Sequence, residues 1–278
     1  MPAKIRSGRN FKMRIDFYGK SDIGKSRKTN EDYFLHEKID EDEYLFIVAD
    51  GMGGHQAGDV ASRLGTLTFS DKYKILRRKR RAIIDSMVLS LNKANEVILK
   101  KATNDPRKMG MGTTFSACVV TDMTAHIIHV GDSRIYLIRN NEIERLTTDQ
   151  TFVSKMVEDG RISEEEAKDH PQKNILYMSL GARESFTPEI IGDFKLATGD
   201  IFVMCSDGLN SMVSDEIIQE YSLSYPPQKA VERLIERAND NGGIDNITIQ
   251  VLGVGNIRLS EDTESFRKNT IQRDIMLK

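Results

Sequence analysis

The chain has 278 residues, with 40 Lys and Arg against 42 Asp and Glu, so its formal net charge is −2. This balance argues against binding of nucleic acid or a membrane surface over the whole chain, and 39% hydrophobic with 29% charged residues excludes a disordered protein. The two cysteines, Cys118 and Cys205, lie inside apolar runs, which excludes a secreted disulfide scaffold and is typical of buried thiols in a reducing compartment. No segment approaches the ~18 consecutive apolar residues of a membrane span, so we expect a cytoplasmic protein.

The patterns along the chain predict both strands and helices. Short segments rich in β-branched and aromatic residues predict strands at 14–18, 44–49, 113–121, 125–130, 134–139, 189–196, 201–205 and 247–254. Helical patterns lie at 56–70, 80–101, 151–159, 214–221 and 227–240, and Ser163 is the predicted cap of a short helix at 164–167. The strands between 113 and 139 are joined by turns too short for a crossover helix, which favours antiparallel pairing. The sequence therefore predicts one α+β domain.

Two short motifs suggest other functions. Residues 19–26 match G-x-x-x-x-G-K-[ST], the phosphate-binding loop of nucleotide hydrolases. That loop works at the start of an apolar-faced helix, whereas residues 27–32 are polar throughout, so a nucleotide hydrolase is kept only as an alternative. The basic run at 77–81 has no interleaved aromatic residues for base stacking, and we interpret it as a solvated helix face.

Acidic residues stand where apolar strands end. Asp50, Asp132 and Asp207 each follow a predicted strand, and Asp245 precedes the last one. One such residue alone is usually a turn former or a helix cap, but several carboxylates converging on one place repel each other unless cations hold them. Oxygen ligands alone point to Mg²⁺ or Mn²⁺, and zinc is disfavoured because His and Cys residues with ligand spacing are missing.

Residues near these strand ends add to the pattern. Glu31 and Asp32 supply two more carboxylates, and three glycines within 51–54 let the backbone approach an ion closely, although an ordinary turn has the same composition. His126 and His129 are three apart on a predicted strand and therefore face opposite sides of a sheet. They cannot share a metal ion, and we interpret them as structural.

Taken in order, these blocks resemble the metal-dependent type 2C (PPM) serine/threonine protein phosphatases, particularly the single-domain bacterial members. The resemblance covers about 15–255 and rests on Ser21-Asp22-x-Gly24-x-x-Arg27-x-x-Asn30-Glu31-Asp32, Ala49-Asp50-Gly51-Met52-Gly53-Gly54-His55, Met111-Gly112-Thr113-Thr114, Gly131-Asp132-Ser133-Arg134, Ser206-Asp207-Gly208-Leu209 and Asp245-Asn246. It implies a four-layer αββα sandwich of two antiparallel sheets flanked by helices. It also implies hydrolysis of phosphoserine and phosphothreonine in proteins by a metal-activated water, with no covalent intermediate.

The resemblance implies a role for each candidate site residue. Asp50 would bridge two ions, Mn²⁺ or Mg²⁺, and the carbonyl of Gly51 would be a further ligand. Arg27 would bind the substrate phosphate, and catalysis would depend on it together with Asp50 and Asp207. The remaining metal ligands would be Asp207 and Asp245 at the first ion, Glu31 and Asp32 at the second, directly or through water, and Asp132 with Asp207 at a third, weaker ion.

Other parts of the chain match the family less closely. The segment at about 150–175 resembles the flap beside the active site, which implies substrate contacts by Gly160, Arg161 and Ser163. Met52 stands where animal members carry a His proposed as general acid, so metal-bound water and His55 are alternative proton donors. Ile244 stands where bacterial members usually show Pro, and this change affects the stiffness of the loop rather than ligation.

We expect a flexible N-terminal segment at 1–12, a phosphatase domain at 13–256 and a charged tail at 257–278. The expected partners are phosphorylated proteins, a Ser/Thr kinase and its targets among them, with no nucleic acid and no membrane, and the expected state is a monomer. The alternative from a different functional class is a catalytically silent sensor or binding module that keeps the phosphatase fold. All the proposed carboxylate ligands are present, which favours the enzyme.

Overall fold

The structure is a computed structural model that describes residues 13–53, 57–121 and 123–256. His55 and the predicted segments 1–12 and 257–278 lie outside these residues. No helix in the described part of the chain combines the length and the apolarity that crossing a lipid bilayer requires.

Two antiparallel sheets form the centre of the molecule. The strands are β1 (Met13–Asp22), β2 (Tyr33–Asp40), β3 (Glu43–Ala49), β4 (Gly51–Met52), β5 (Gly112–Thr113), β6 (Phe115–Thr121), β7 (Thr124–Val130), β8 (Arg134–Arg139), β9 (Glu142–Arg145), β10 (Glu189–Lys195), β11 (Ile201–Cys205) and β12 (Ile247–Asn256). One sheet has the order β1-β12-β11-β8-β9 and the other β10-β7-β6-β3-β2, while β4 and β5 form a short separate pair.

Helices cover the outer face of each sheet. The helices of the described residues are α1 (Gly58–Arg78), α2 (Ile83–Asn104), α3 (Phe152–Glu158), α4 (Glu164–Lys168), α5 (Asp207–Asn210), α6 (Asp215–Ser224) and α7 (Pro227–Asp240), with a 3₁₀ turn at Pro106–Lys108. Helices α1 and α2 pack on the sheet that contains β3, and α6 and α7 pack on the sheet that contains β11. The predicted four-layer αββα sandwich is therefore confirmed.

The core explains why the central strands are apolar along their whole length. In β3, Leu45 and Ile47 pack against α1 and α2, whereas Phe46 and Val48 pack between the two sheets. Both faces of the strand are buried, so the run is continuously hydrophobic instead of alternating with polar residues. The interface between the sheets is largely hydrophobic and partly aromatic, with Phe202 of the opposite sheet fully buried there.

Several predicted boundaries differ from the structure. The predicted strand at 113–121 is two strands, because Thr114 leaves the ladder and its backbone N–H donates to the carbonyl of Asp50. The prediction missed β2, a charged edge strand with one face half-exposed. Predicted helices 56–70 and 80–101 are α1 and α2, and the basic run 77–81 lies at the end of α1 and in the turn after it, where Arg80 has a positive φ.

A buried carboxylate fastens the end of α1 to the sheet. Glu43 at the start of β3 is 5% exposed. It accepts a hydrogen bond of 2.7 Å from the Tyr73 hydroxyl, and the Arg77 guanidinium donates to both of its oxygens at 2.7 to 3.1 Å. Arg77 is therefore not a solvated residue of the basic run but the counter-charge of this carboxylate.

We expect Arg77→Ala to lower the free energy of unfolding by about 3 kcal/mol, because it leaves the Glu43 carboxylate buried without its counter-charge. Urea unfolding followed by circular dichroism measures the change. The matched control is Arg78→Ala, which removes the next, exposed arginine and should change stability by less than about 0.5 kcal/mol. Equal effects of the two variants would contradict this assignment.

Candidate metal centre

The structure brings the predicted carboxylates together at one edge of the sandwich. Asp50 joins β3 to β4, and four further acidic residues lie close enough to act on its charge. They come from distant parts of the chain: from the start of β2, the turn between β7 and β8, the first residue of α5 and the residues just before β12. These four are Asp32, Asp132, Asp207 and Asp245.

Burial and mutual repulsion raise the pKa values of these carboxyl groups. Burial is the largest cause in each case, and the neighbouring carboxylates add to it. The pKa of Asp207 rises to about 6, that of Asp32 to about 7 and that of Asp132 to about 8, and the pKa of Asp50 lies well above its usual range. Without a cation, the cluster is therefore partly protonated near neutral pH.

Two carboxylate oxygens of the cluster are buried and have no hydrogen-bond partner, namely Oδ1 of Asp32 and Oδ1 of Asp207. A buried acceptor without a partner is costly, and a hard divalent cation is a natural partner for such oxygens. Within residues 13–53, 57–121 and 123–256, no group of three or more Asp, Glu, His or Cys side chains has the spacing to hold a metal ion by itself. The donor atoms that the cluster offers are all oxygens, which is the chemistry that Mg²⁺ or Mn²⁺ ions with several bound waters require.

The backbone around Asp50 is fixed by residues for which the sequence suggested no role. The Asp50 N–H donates to the Thr114 hydroxyl at 2.8 Å, and its carbonyl accepts from the Thr114 N–H at 2.8 Å and the Thr113 hydroxyl at 2.9 Å. The Thr114 hydroxyl also lies 2.6 Å from that of Ser133, next to Asp132. A side chain at Gly51 would lie 2.2 Å from the carbonyl oxygen of Gly58, so only glycine fits there.

Asp32 is held by a hydroxyl group of the opposite sheet. The Ser206 hydroxyl donates to its Oδ2 at 2.7 Å. The Ser206 hydroxyl in turn accepts from the Thr248 N–H at 3.0 Å. The hydrogen bond to Oδ2 fixes the orientation of the Asp32 side chain, while Oδ1 stays without a hydrogen-bond partner.

Glu31 and Arg27 lie on the segment between β1 and β2. The Glu31 carboxylate lies against Gly58 at the start of α1, where the helix dipole favours an anion, and burial raises its pKa. The Arg27 guanidinium, half-exposed, donates to Oδ2 of Asp245 at 2.7 Å. The predicted phosphate-binding residue is therefore paired with a predicted metal ligand.

The two ends of the predicted flap lie next to each other at the edge of the sheet, and we call these paired ends, residues 150–151 and 176–177, the neck. Thr151 and Leu176 form an antiparallel bridge, and the Tyr177 N–H donates to the carbonyl of Gln150 at 3.0 Å. The neck is fastened to the turn beside Asp132, because Gln150 and Gly131 exchange two hydrogen bonds, of 2.8 and 2.9 Å.

The three predicted substrate-contacting residues of the flap, Gly160, Arg161 and Ser163, are exposed to solvent. The Ser163 hydroxyl caps α4 as predicted, in a reciprocal capping box with Glu166. Arg161 lies 3.7 Å from Asp159, and Gly160 closes the turn after α3. The structure gives Ser163 a capping role and leaves Arg161 directed to solvent.

The alternative chemistries suggested by the sequence find no matching geometry. Burial raises the pKa of both Cys118 and Cys205 to about 12, so neither thiol is a nucleophile near neutral pH, as interpreted from the sequence. Residues 19–22 belong to β1 and residues 23–32 form turns, so the phosphate-loop motif is not followed by a helix. His126 and His129 lie on opposite faces of β7, and both are buried. The Ser116 hydroxyl lies 2.8 Å from Nδ1 of His129.

Comparisons with known proteins agree with this geometry. The chain belongs to the protein phosphatase 2C family, whose model matches residues 19–247. It is similar to protein phosphatase PhpP of Streptococcus pneumoniae, with 32% identity over 255 residues that cover 88% of this chain and 98% of the relative.

Solved structures give the same result. The serine/threonine phosphatase PstP/Ppp of Mycobacterium tuberculosis aligns with a TM-score of 0.78 at 32% identity, over 87% of this chain and 99% of that structure. A structure of the PstP catalytic domain in complex with two manganese ions aligns with a TM-score of 0.77, again at 32% identity and over 87% and 99% of the two chains.

The raised pKa values predict how the metal-free protein responds to pH. The folded state binds more protons than the unfolded state between the ordinary Asp pKa of 3.8 and about 8, so stability falls as pH rises through that window. In EDTA, the melting temperature should therefore fall from pH 5 to pH 8.5. Calorimetry with and without added Mn²⁺ checks this, and Mn²⁺ should raise the melting temperature more at pH 8 than at pH 5.5.

Proposed function

We propose that this protein is a metal-dependent serine/threonine protein phosphatase that hydrolyses phosphoserine and phosphothreonine in proteins. The observation that carries the proposal is the convergence of Asp50 and four further carboxylates, with two unpaired buried oxygens, in a chain of the protein phosphatase 2C family. Hydrolysis of phosphate monoesters is among the slowest uncatalysed reactions, so catalysis needs strong charge neutralisation and positioning.

The carboxylates are the proposed ligands of divalent ions, either Mn²⁺ or Mg²⁺. Asp50 and Asp207 would each be shared between ions. Asp245 and the carbonyl of Gly51 would be further ligands, and Glu31 and Asp32 would act at the second ion. Asp132, together with Asp207, is the proposed ligand of a third ion. When bound, divalent ions neutralise charge on the phosphoryl group and lower the pKa of the water that attacks it.

The protein's own residues would then bind and orient the substrate. Arg27 presents a planar guanidinium that can hold two phosphoryl oxygens at once. In the structure this group is half-exposed and bonded to Asp245, so it lies beside the cluster and is accessible to a phosphate group. We propose that it exchanges this carboxylate for the substrate phosphate, and that His55 or a water molecule protonates the leaving serine or threonine.

The substrates are proposed to be phosphorylated proteins, a Ser/Thr kinase and its targets among them. The flap at 150–175, with Gly160, Arg161 and Ser163, would contact the polypeptide around the phosphorylated residue, because it stands beside the turn that carries Asp132. We assign the catalytic unit to residues 13–256 and propose that it acts as a monomer in the cytoplasm.

Asp207→Asn keeps the size of the side chain and removes a charge from the centre of the cluster. Metal-dependent hydrolysis of a phosphothreonine peptide should fall by several orders of magnitude, because a ligand shared by two ions is lost. The metal-free variant should melt at a higher temperature at pH 8, because repulsion is relieved.

The matched control is Asp71→Asn on the exposed side of α1, with a side chain that is 74% exposed; its turnover should be unchanged. Unchanged turnover in Asp207→Asn would overturn the metal assignment. An inactive wild-type protein that still binds Mn²⁺ would favour the silent sensor.

Arg27→Ala should raise KM for the phosphothreonine peptide more than it lowers kcat, because it removes phosphate binding that exists before the transition state. Steady-state kinetics with saturating Mn²⁺ measure both constants. Lys28→Ala is the control, since it removes an exposed positive charge from the same loop. A KM that rises equally in both variants would indicate a general electrostatic effect instead.

A further inference from the structure

The loop that carries Arg27 has no regular structure of its own. Residues 23–31 form turns between β1 and β2, and their place in the molecule depends on bonds to other segments. The carbonyl of Gly243 accepts from the N–H groups of Lys25 and Ser26 at 2.7 and 3.1 Å, which fixes the first half of the loop.

In the second half of the loop, the Asn30 side chain donates to the Ser21 hydroxyl. The carbonyl of Glu31 accepts from the Gly51 N–H and the Ser62 hydroxyl. A further tether joins the two halves of the loop.

Asn246 supplies that tether and uses its whole carboxamide to do so. Its Nδ2 donates to the carbonyls of Ile23 at 2.9 Å and Thr29 at 3.0 Å, and its Oδ1 accepts from the N–H of Glu31 at 2.9 Å. The residue is 5% exposed. Ile23 and Thr29 stand on either side of Arg27 in the chain, so this one side chain holds both ends of the turn that presents the guanidinium.

The backbone of Asn246 lies directly against the segment that carries Asp207. A side chain on Gly208 would lie 1.9 Å from the Asn246 carbonyl oxygen, so the chain here is pressed against the start of α5, directly after Asp207. The preceding residue is Asp245, on which Arg27 is held at 2.7 Å. Asn246 therefore connects the segment that carries Asp245 to the loop that carries Arg27.

We propose that Asn246 is a positioning residue for phosphate recognition, which sets the distance between Arg27 and the carboxylate cluster without touching the substrate. The inference rests on the proposed function for its kinetic consequences. Its structural basis is the three hydrogen bonds, which are independent of any bound ion. Because Asn246 acts through Arg27, its effect on phosphate binding should vanish when Arg27 is absent.

The chain offers a matched control in Asn95 of α2. This residue is 2% exposed and makes the same pattern of bonds to a different loop: its Nδ2 donates to the carbonyls of Arg183 and Glu184, and its Oδ1 accepts from the N–H of Gly181. Asn95→Ala should therefore lower the melting temperature about as much as Asn246→Ala does, without changing phosphate recognition.

The test measures KM and kcat for 4-nitrophenyl phosphate, and inhibition by inorganic phosphate, with saturating Mn²⁺. Asn246→Ala should raise KM and the phosphate inhibition constant about tenfold, as expected for a binding group displaced by a fraction of an ångström. The kcat value should change much less. In the Arg27→Ala background, Asn246→Ala should have no further effect on KM. If the alanine variant does not fold, Asn246→Ser serves for the same measurements.

Hydrogen exchange of the metal-free protein gives a readout that does not depend on activity. Amides of residues 23–31 should exchange faster in Asn246→Ala and stay unchanged in Asn95→Ala. An unchanged KM, a KM effect that persists without Arg27, or unchanged exchange would each overturn the inference. A wild-type protein with no metal-dependent turnover would instead overturn the proposed function, and the positioning role of Asn246 would then be decided by the exchange of the loop amides alone.

Discussion

Repulsion between buried carboxylates is the constraint on which the rest of the structure depends. Asp32 and Asp207 raise the pKa of Asp50, and Asp207 raises that of Asp32. Side chains that repel would move apart if their backbones could follow. They cannot, because Thr113 and Thr114 hold the main chain of Asp50 through three hydrogen bonds and the Ser206 hydroxyl holds Asp32. The hydroxyl groups around the cluster thus keep an unfavourable arrangement of charge in place, which is the arrangement that a divalent cation stabilises.

The sandwich supplies the rigidity that these short contacts require. Each acidic residue stands just outside a strand or helix whose apolar residues are buried, and a carboxylate further inside the sheet would have neither solvent nor cation. The buried hydrophobic interface between the sheets resists the small shifts that would relax the cluster, since close-packed interiors do not deform continuously. The carboxylates are therefore confined to the edge where the strand ends of both sheets meet.

The sequence predicted those parts of the molecule that depend on local pattern. Strands 134–139 and 201–205 are confirmed to the residue, and Asp50, Asp132, Asp207 and Asp245 lie together as expected, because apolar runs that end in an acidic residue are visible without a structure. Features that depend on contacts between residues far apart in the chain could not be predicted from local pattern. Arg27 and Asp245 are 218 positions apart, and β2 needs the partner β3 to make a charged segment into an edge strand.

The neck of the flap has a consequence for how this protein can change. Residues 151 and 176 are bridged, so the excursion between them begins and ends at nearly one point and adds little to the cost of closing the chain. The segment between these residues is therefore a self-contained insertion whose two ends lie side by side. Its length and sequence can change while the carboxylate cluster keeps its geometry, because the two ends of the segment stay bridged.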